Sequence, residues 1–239
     1  MESTKDYDWS LEEHLEELRQ RLFICFVLFA IAFALSFFLT PPVLIRLEAL
    51  APKGTVFFQL KPGELLFVYL HVSFILSVIL SSPFLLFQIG SFIWPGLKKQ
   101  EKMIALILFS GAPFLFFGAM AFAYFIALKP ILNFILGFGV DLSLVQPQYS
   151  LDYFVSLVLS IICIFGISFQ LPVLLYIAAL LGLTTSYQLS KFWKEAILSA
   201  FVLAAFLTPT PDPINMSILG LALSGLYGLS WILIRLSGK

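Results

Sequence analysis

Six apolar stretches, separated by short polar or proline-rich segments, dominate this 239-residue chain. A helix of roughly 20 apolar residues is long enough to cross the hydrocarbon core of a bilayer. The stretches lack the alternation of membrane-barrel strands, so they predict helices. We therefore expect an all-α integral membrane protein with six transmembrane helices in a single polytopic domain, residues 1–239. The expected spans are 22–40, 65–94, 103–128, 153–182, 192–207 and 214–234.

Composition favours the same class of protein. Apolar residues make up 60% of the chain and charged residues 12%, which is too little polar surface for a soluble domain of this length. The formal net charge is zero, so no nucleic-acid partner is expected. The two cysteines and two histidines show no metal-site or disulfide spacing, and no nucleophile or phosphate-loop motif occurs. We expect no metal, no cofactor, no catalytic residues and no enzymatic activity.

Prolines and segment lengths predict how several spans end. Pro41 and Pro42 should end the first span, because proline cannot continue a helix. Pro172 should bend the fourth span. The apolar segment 131–140 has only ten residues and is expected to lie at the membrane interface. The fifth and sixth spans are short for a hydrocarbon core of about 30 Å, so they should thin the bilayer locally.

The positions of lysine and arginine predict the orientation in the membrane. Ten of them lie in the N-terminal segment, the C-terminal segment and the loops after spans two and four, whereas four lie in the opposite loops. Lysine and arginine accumulate on the cytoplasmic side of membrane proteins. Both termini are therefore expected in the cytoplasm, with the chain in the cell inner membrane. An even number of spans, such as six, satisfies this orientation.

Residues 10–21 are predicted to form a short, acidic, amphipathic helix that leads into the first span. Seven of the 14 acidic residues lie within the first 17 positions, and Ser10 with Glu13 matches a capping box. The apolar stripe of this helix consists of Leu11, Leu15, Leu18 and Leu22. Because cytoplasmic leaflets are anionic, a glutamate-rich face suits a cationic partner better than lipid. The alternative is a solvated acidic face with local pairs such as Glu17–Arg21.

Few polar side chains lie at membrane depth. His71 is near the outer end of the second span, Gln88 lies further along it, and Gln170 lies deep in the fourth span. Amides in such places join helices by hydrogen bonds or serve function. Asp212 lies in the outer loop between spans five and six, where an Asp-Pro pair is ordinary turn chemistry.

Five segments, in order along nearly the whole chain, resemble the TatC family of the twin-arginine protein translocase. They are 14–22 (HLEELRQRL), 92–97 (FIWPGL) followed by Glu101, 118–124 (GAMAFAY), 165–172 (FGISFQLP) and 207–212 (LTPTPD). The resemblance implies a receptor that binds twin-arginine signal peptides of folded precursor proteins and nucleates their transport. It also implies single-span partner subunits of the TatA and TatB type, contact with membrane lipid and a possible homo-oligomer within the complex.

The same resemblance implies which side chains bind the signal peptide. Glu17 and Glu101 would receive the arginine pair, and Leu15, Arg19 and Phe92 would shape the surface around it. Guanidinium groups present planar donor forks that carboxylates accept bidentately, a geometry that lysine cannot match.

Gln170 departs from the family pattern, in which this position is typically a glutamate. Glutamine keeps the size and the hydrogen-bonding capacity of that residue but removes the proton-linked charge. The competing interpretation of the whole chain is a six-span secondary transporter of small solutes. That class would be expected to show charges inside the membrane or an internal repeat, and the sequence shows neither.

Overall fold

The computed structural model describes residues 11–51, 55–94, 97, 99–137, 148–208 and 212–238. Within these ranges the chain is helical except for turns and two three-residue strands. The helices are α1 (Leu11–Glu48), α2 (Glu64–Ile93), α3 (Lys99–Phe122), α4 (Leu128–Gly137), α5 (Leu151–Ser168), α6 (Leu171–Leu180), α7 (Ser186–Lys191), α8 (Trp193–Leu207) and α9 (Pro213–Leu236). A π-helical turn, Ala123–Ala127, joins α3 to α4. The strands are β1 (Val56–Phe58) and β2 (Gln148–Ser150).

Five helical stretches of the described chain are long and apolar enough to cross a membrane. They are Leu15–Glu48, Glu64–Ile93, Ala105–Leu136, Leu151–Leu180 and Pro213–Leu236. The helical membrane architecture is thereby confirmed, whereas the count of six spans stays a prediction. The remaining expected span corresponds to α8, whose 15 residues extend about 22 Å.

The prediction that the sixth span is short is wrong. Helix α9 has 24 residues and extends about 36 Å, which exceeds the thickness of a typical hydrocarbon core. It extends one residue before and two residues beyond the predicted span; the Asp212 side chain caps the helix and Pro213 occupies the first helical position. Only α8 is short, so local thinning of the bilayer would have to come from that helix.

The prediction that Pro41 and Pro42 end the first helix is also wrong. Helix α1 continues through both prolines to Glu48. Beyond them, Leu44 and Leu47 are buried in the main apolar core. That packing holds the last two turns of α1 in place and offsets the backbone hydrogen bonds that the prolines remove.

The described part of the segment 131–140 is not a separate ten-residue unit, and its interfacial position stays a prediction. It belongs to α4, which continues α3 through the π-helical turn. Ile131, Leu132 and Leu136 are almost completely buried in the main core. Length alone predicted an interfacial segment because the helical continuity with α3 does not show in a ten-residue apolar window.

The fourth predicted span is a broken helix in the structure. Helix α5 ends at Ser168, and α6 starts at Leu171 after a break at Phe169 and Gln170. Pro172 accounts for the break, since it has no backbone N–H to donate to the preceding turn. Pro172 was expected to bend this span, and the structure shows a break at that position. The break places the side chain of Gln170 at a helix junction.

Opposite this break, at the start of α2 and α5, a small cap joins two loops. Strands β1 and β2 pair in parallel, with Val56 opposite Gln148 and Phe58 opposite Ser150. Glu64, in the first turn of α2, accepts hydrogen bonds from the backbone N–H of Lys61 at 3.1 Å and from the Ser150 hydroxyl at 2.5 Å. Since Ser150 also caps the start of α5, Glu64 ties the beginnings of α2 and α5 together.

Candidate functional site

The N-terminal end of α1 contacts α2 through a charged group. The Arg21 guanidinium donates from Nε and Nη2 to Oε1 of Glu17, at 2.9 and 2.6 Å. The third guanidinium nitrogen, Nη1, donates to Oε1 of Gln88 in α2 at 2.6 Å. The Arg21 and Glu17 side chains are only 24% and 18% exposed. The structure thus confirms the local Glu17–Arg21 pair and adds a link to α2 that the sequence did not predict.

The leucine stripe expected on the first turns of α1 does not pack against the described part of the chain. Leu15 and Leu22 are more than 60% exposed, and Leu18 is 36% exposed. The side chains of residues 11–14 lie outside the described set, so the stripe is described from Leu15 onward. The exposed stripe is available for lipid or for another protein, in keeping with the amphipathic pattern.

The other side chains expected around Glu17 differ in their setting. Arg19 is 79% exposed and hydrogen-bonds Glu16 at 3.4 Å, a long contact on the surface of the helix. Phe92 is half-buried in α2, one helical turn beyond Gln88. Arg19 is therefore a surface side chain, whereas Phe92 belongs to the helix that contacts Arg21 through Gln88.

Glu101 lies in the first turn of α3, and its side chain is outside the described set. The structure therefore does not test the expected pairing of Glu101 with Glu17. Nearby, Lys102 places its ammonium 5.7 Å from the centre of the Trp94 ring, a cation–π distance.

Gln170 is held at the α5–α6 break by a contact with α3. Its Nε2 donates to the main-chain oxygen of Ala112 at 3.2 Å. Its Oε1 is buried and accepts no hydrogen bond from the described residues. Gln170 thus links the α5–α6 junction to α3, which is the helix-joining role expected as an alternative to a functional one.

Asp212 serves as the helix cap of α9. Its Oδ1 accepts the backbone N–H of Asn215 at 2.7 Å, and both side chains are buried. A carboxylate in this position satisfies a backbone donor of the first turn and interacts favourably with the helix dipole. The turn role expected for Asp212 is therefore correct, and the structure shows that its side chain caps the first turn of α9.

Two polar contacts were not predicted from the sequence. The Arg21–Gln88 contact joins residues 67 positions apart, so no periodicity could reveal it. The contact of Glu64 with Ser150 joins loops 86 positions apart. In the sequence, the signal for this contact was Glu64 itself, an acidic residue directly after Pro62-Gly63 at the start of an apolar helix.

His71 has a partner in the neighbouring helix. Its Nδ1 lies 3.1 Å from the hydroxyl of Ser156 in α5. The pair lines a groove of about 540 Å³ with Asp152 and phenylalanine rings from α1 and α2. Among the described residues, no group of three or more His, Cys, Asp or Glu side chains lies close enough to hold a metal ion.

Comparison with known proteins gives one consistent result. Residues 13–221 match the family model described as Sec-independent protein translocase protein (TatC). The chain is 36% identical to the Sec-independent protein translocase protein TatC of Synechocystis sp., over 98% of this chain and 91% of that protein. It is 35% identical to the TatC protein of Aquifex aeolicus, over 96% of each chain.

Solved structures agree with the sequence relatives. The chain superposes on a crystal structure described as the twin arginine translocase receptor TatC with a TM-score of 0.81 and 35% identity. The match covers 95% of this chain and all of that one. A chloroplastic TATC protein of Arabidopsis thaliana, 32% identical, matches 98% of this chain and 68% of its own length.

Proposed function

This chain belongs to the TatC family of Sec-independent protein translocase proteins, and we propose that it is the subunit that recognises twin-arginine signal peptides. In this proposal it nucleates the transport of folded proteins across the cytoplasmic membrane. A relative 35% identical to it is described as a twin arginine translocase receptor, which supports the receptor role. Family membership makes the chain a translocase component, and we propose that it acts without catalysing a chemical reaction.

The observation that carries the proposal is the environment of Glu17. Its carboxylate already accepts two N–H groups of a guanidinium, at 2.6 and 2.9 Å, in a partly exposed position. The contact with Arg21 supports the proposal because it presents this carboxylate in an orientation that suits a guanidinium, the group that a peptide arginine would bring. Guanidinium–carboxylate hydrogen bonds contribute roughly 1.5–3 kcal/mol each, so two matched pairs would supply part of the roughly 8 kcal/mol of a micromolar complex.

The remaining site residues complete the proposed surface. We assign the second arginine to Glu101, in the first turn of α3, because the family resemblance implies that role for it. The exposed side chains of Leu15 and Arg19 and the half-buried ring of Phe92 would contact residues of the signal peptide that flank the arginines. Exposed leucines on the same helix suit the apolar part of such a peptide.

We further propose the orientation and partners of the chain. Lysine and arginine positions favour both termini in the cytoplasm of an inner membrane, so that Glu17 faces the side from which precursors arrive. Helix α1 exposes large apolar side chains along most of its length, including Phe23, Phe26 and Phe38. Such a surface is compatible with lipid, with single-span TatA- and TatB-type subunits and with a second copy of the chain.

A transport assay tests this function directly. In cells that lack their own TatC and contain TatA- and TatB-type subunits, this chain should export a folded reporter carrying an Arg-Arg signal peptide and should retain its Lys-Lys counterpart. Glu17→Ala and Glu101→Ala should each reduce export, whereas Glu48→Ala, an exposed carboxylate at the other end of α1, should not. Equal export of both reporters would contradict the proposal. Solute uptake by vesicles containing this chain alone would favour a transporter instead.

A further inference from the structure

We propose that a groove between the start of α8 and the end of α9 binds an anionic phospholipid, with an acyl chain along the groove and the phosphate at Lys194 and Arg235. The ligand class is a phospholipid whose headgroup carries a net negative charge, such as phosphatidylglycerol. The proposal is separate from signal-peptide recognition and requires only that α9 crosses the membrane, as its length and composition allow.

The groove has a volume of about 300 Å³ and a mostly apolar lining. Trp193 and Ile197 line it from α8, Gly228 and Trp231 from α9, and Leu189 from α7. Gly228 keeps the groove open, since a Cβ atom at this position would meet nothing within 4 Å. The volume is at the lower end of the range of sites that hold small ligands, so it suits part of an acyl chain.

The side chains along this face of α9 change from small to aromatic to charged. Ser224, Gly228, Trp231 and Arg235 follow one another at intervals of four, three and four residues, so they lie on one face of the helix. The first three line the groove, and Arg235 follows one turn later. Aromatic side chains prefer the membrane interface, and cations prefer the headgroups beyond it. The groove therefore runs from the acyl region of a leaflet toward its headgroups.

Two cations lie over the tryptophan rings that form the groove walls. The Lys194 ammonium is 5.7 Å from the centre of the Trp193 ring, and the Arg235 guanidinium carbon is 5.3 Å from the centre of the Trp231 ring. Both cations are exposed, and none of the salt bridges between described side chains involves them. Glu195 is the one acidic residue in α7, α8 and α9, so positive charge exceeds negative charge here. Basic pockets between transmembrane helices bind anionic headgroups in this way.

Two hydrogen bonds between α9 and α7 hold the groove walls in place. The Tyr227 hydroxyl donates to the main-chain oxygen of Leu189 at 2.8 Å. Nε1 of Trp231 donates to the main-chain oxygen of Ser186 at 3.1 Å. Because the walls are fixed in this way, a lipid that enters the groove does not have to order them first.

The position of the groove in the membrane also favours an anionic lipid. Lys194 and Arg235 lie near the loop after the fourth predicted span and in the C-terminal segment, which the distribution of lysine and arginine predicts to be cytoplasmic. Cytoplasmic leaflets are anionic, so the ligand is abundant on this side. A cationic segment of another protein would be repelled by the same two side chains.

Tryptophan fluorescence tests the proposal in the full-length protein, because Trp193 and Trp231 form the groove walls. Trp9→Phe with Trp94→Phe leaves these two as the reporters. The protein is reconstituted in vesicles of phosphatidylcholine and phosphatidylglycerol, in which one lipid or the other carries brominated acyl chains that quench tryptophan on contact. We expect the quenching to show that phosphatidylglycerol binds about tenfold more strongly than phosphatidylcholine, since two cations attract its headgroup.

A first set of variants of this reporter protein changes the charge. Lys194→Gln with Arg235→Gln should remove most of the preference for phosphatidylglycerol. Arg46→Gln with Lys61→Gln removes the same charge from two exposed positions around the loop between α1 and α2. This control should leave the preference unchanged, because neither side chain lies near the groove.

A second set of variants changes the volume of the groove. Gly228→Leu places a side chain in the groove and should remove the preference without changing any charge. Gly225→Leu is the matched control: a Cβ atom there also meets nothing within 4 Å, but Gly225 does not line the groove. It should keep the preference.

Three results would overturn the proposal. Equal quenching by the two lipids in the reporter protein would leave the groove to another occupant, such as a protein segment. A preference that survives Lys194→Gln with Arg235→Gln would show that these cations do not hold the phosphate. A preference that survives Gly228→Leu would place the lipid outside the groove. Should Gly228→Leu fail to fold, the charge variants decide the question. Glu17 takes no part in this measurement, so its outcome is independent of the proposed receptor function.

Discussion

Nε2 of Gln170, at the break between α5 and α6, donates a hydrogen bond to the main-chain oxygen of Ala112 in α3 at 3.2 Å. The contact joins residues 58 positions apart and fixes the junction of a broken helix against its neighbour. In an apolar environment such a bond depends on a donor at position 170, whether amide or protonated carboxyl.

We therefore predict that Gln170→Leu impairs transport while leaving the fold intact. Leucine fills a similar volume but donates nothing to Ala112, so the α5–α6 junction loses its link to α3. Gln170→Glu should retain transport, because a protonated carboxyl group can donate the same bond. Export of a folded reporter, with membrane levels of each variant as the control, measures this. Normal export by Gln170→Leu would contradict the prediction.

Asp212 should be needed for the stability of α9. Asp212→Ala removes the acceptor for the Asn215 backbone N–H and should destabilise the protein by about 1 kcal/mol. Asp212→Asn keeps a capping oxygen and should cost much less. The thermal midpoint of the purified protein in detergent compares the two. Equal midpoints for Asp212→Ala and Asp212→Asn would show that the cap does not stabilise α9.

Two glycines of α9 provide a matched test of its packing against α8. A Cβ atom at Gly220 would lie 2.8 Å from the ring of Phe201 in α8, whereas one at Gly225 would meet nothing within 4 Å. Gly220→Ala should therefore destabilise the protein by about 1–3 kcal/mol, since overpacking forces the two helices apart. Gly225→Ala should be neutral or stabilising because alanine favours helix. Equal thermal midpoints for the two variants would contradict the close approach of α8 and α9.

The link between Glu64 and Ser150 should stabilise the cap over the β1–β2 pair. Glu64→Ala and Ser150→Ala should each lower the thermal midpoint, and the double variant should lose less than the sum of the two. A double-mutant cycle should show a coupling of measurable size, because the two side chains share a hydrogen bond to a charged group. Strict additivity would show that the two side chains do not interact.

Much of the fold follows from hydropathy, and the corrections at the two prolines and at the segment 131–140 share one cause. Apolar stretches predicted the helices because each helix must satisfy its own backbone in lipid. Pro41, Pro42 and the segment 131–140 misled the prediction because tertiary packing outweighs a local signal. Leu44 and Ile131 are buried by other helices, and no window of the sequence contains those partners.

In the candidate site, too, the local contacts could be predicted from the sequence and the long-range contacts could not. The pair Glu17–Arg21 is a local, four-residue pattern and could be read from the sequence. Its anchor Gln88 could not, since an amide in an apolar stretch has many possible partners. The family motif, rather than any physical pattern, is what assigned Glu101 to the site.

The most direct test of the central claim is the binding of an Arg-Arg signal peptide and of its Lys-Lys counterpart to the purified protein, before and after Glu17→Gln. We predict that the wild-type protein prefers the Arg-Arg peptide and that Glu17→Gln abolishes this preference, because the amide loses the charge that pairs with guanidinium. Glu48→Gln, on the same helix, should keep it. Equal binding of the two peptides by the wild-type protein, or a preference that survives Glu17→Gln, would contradict the account.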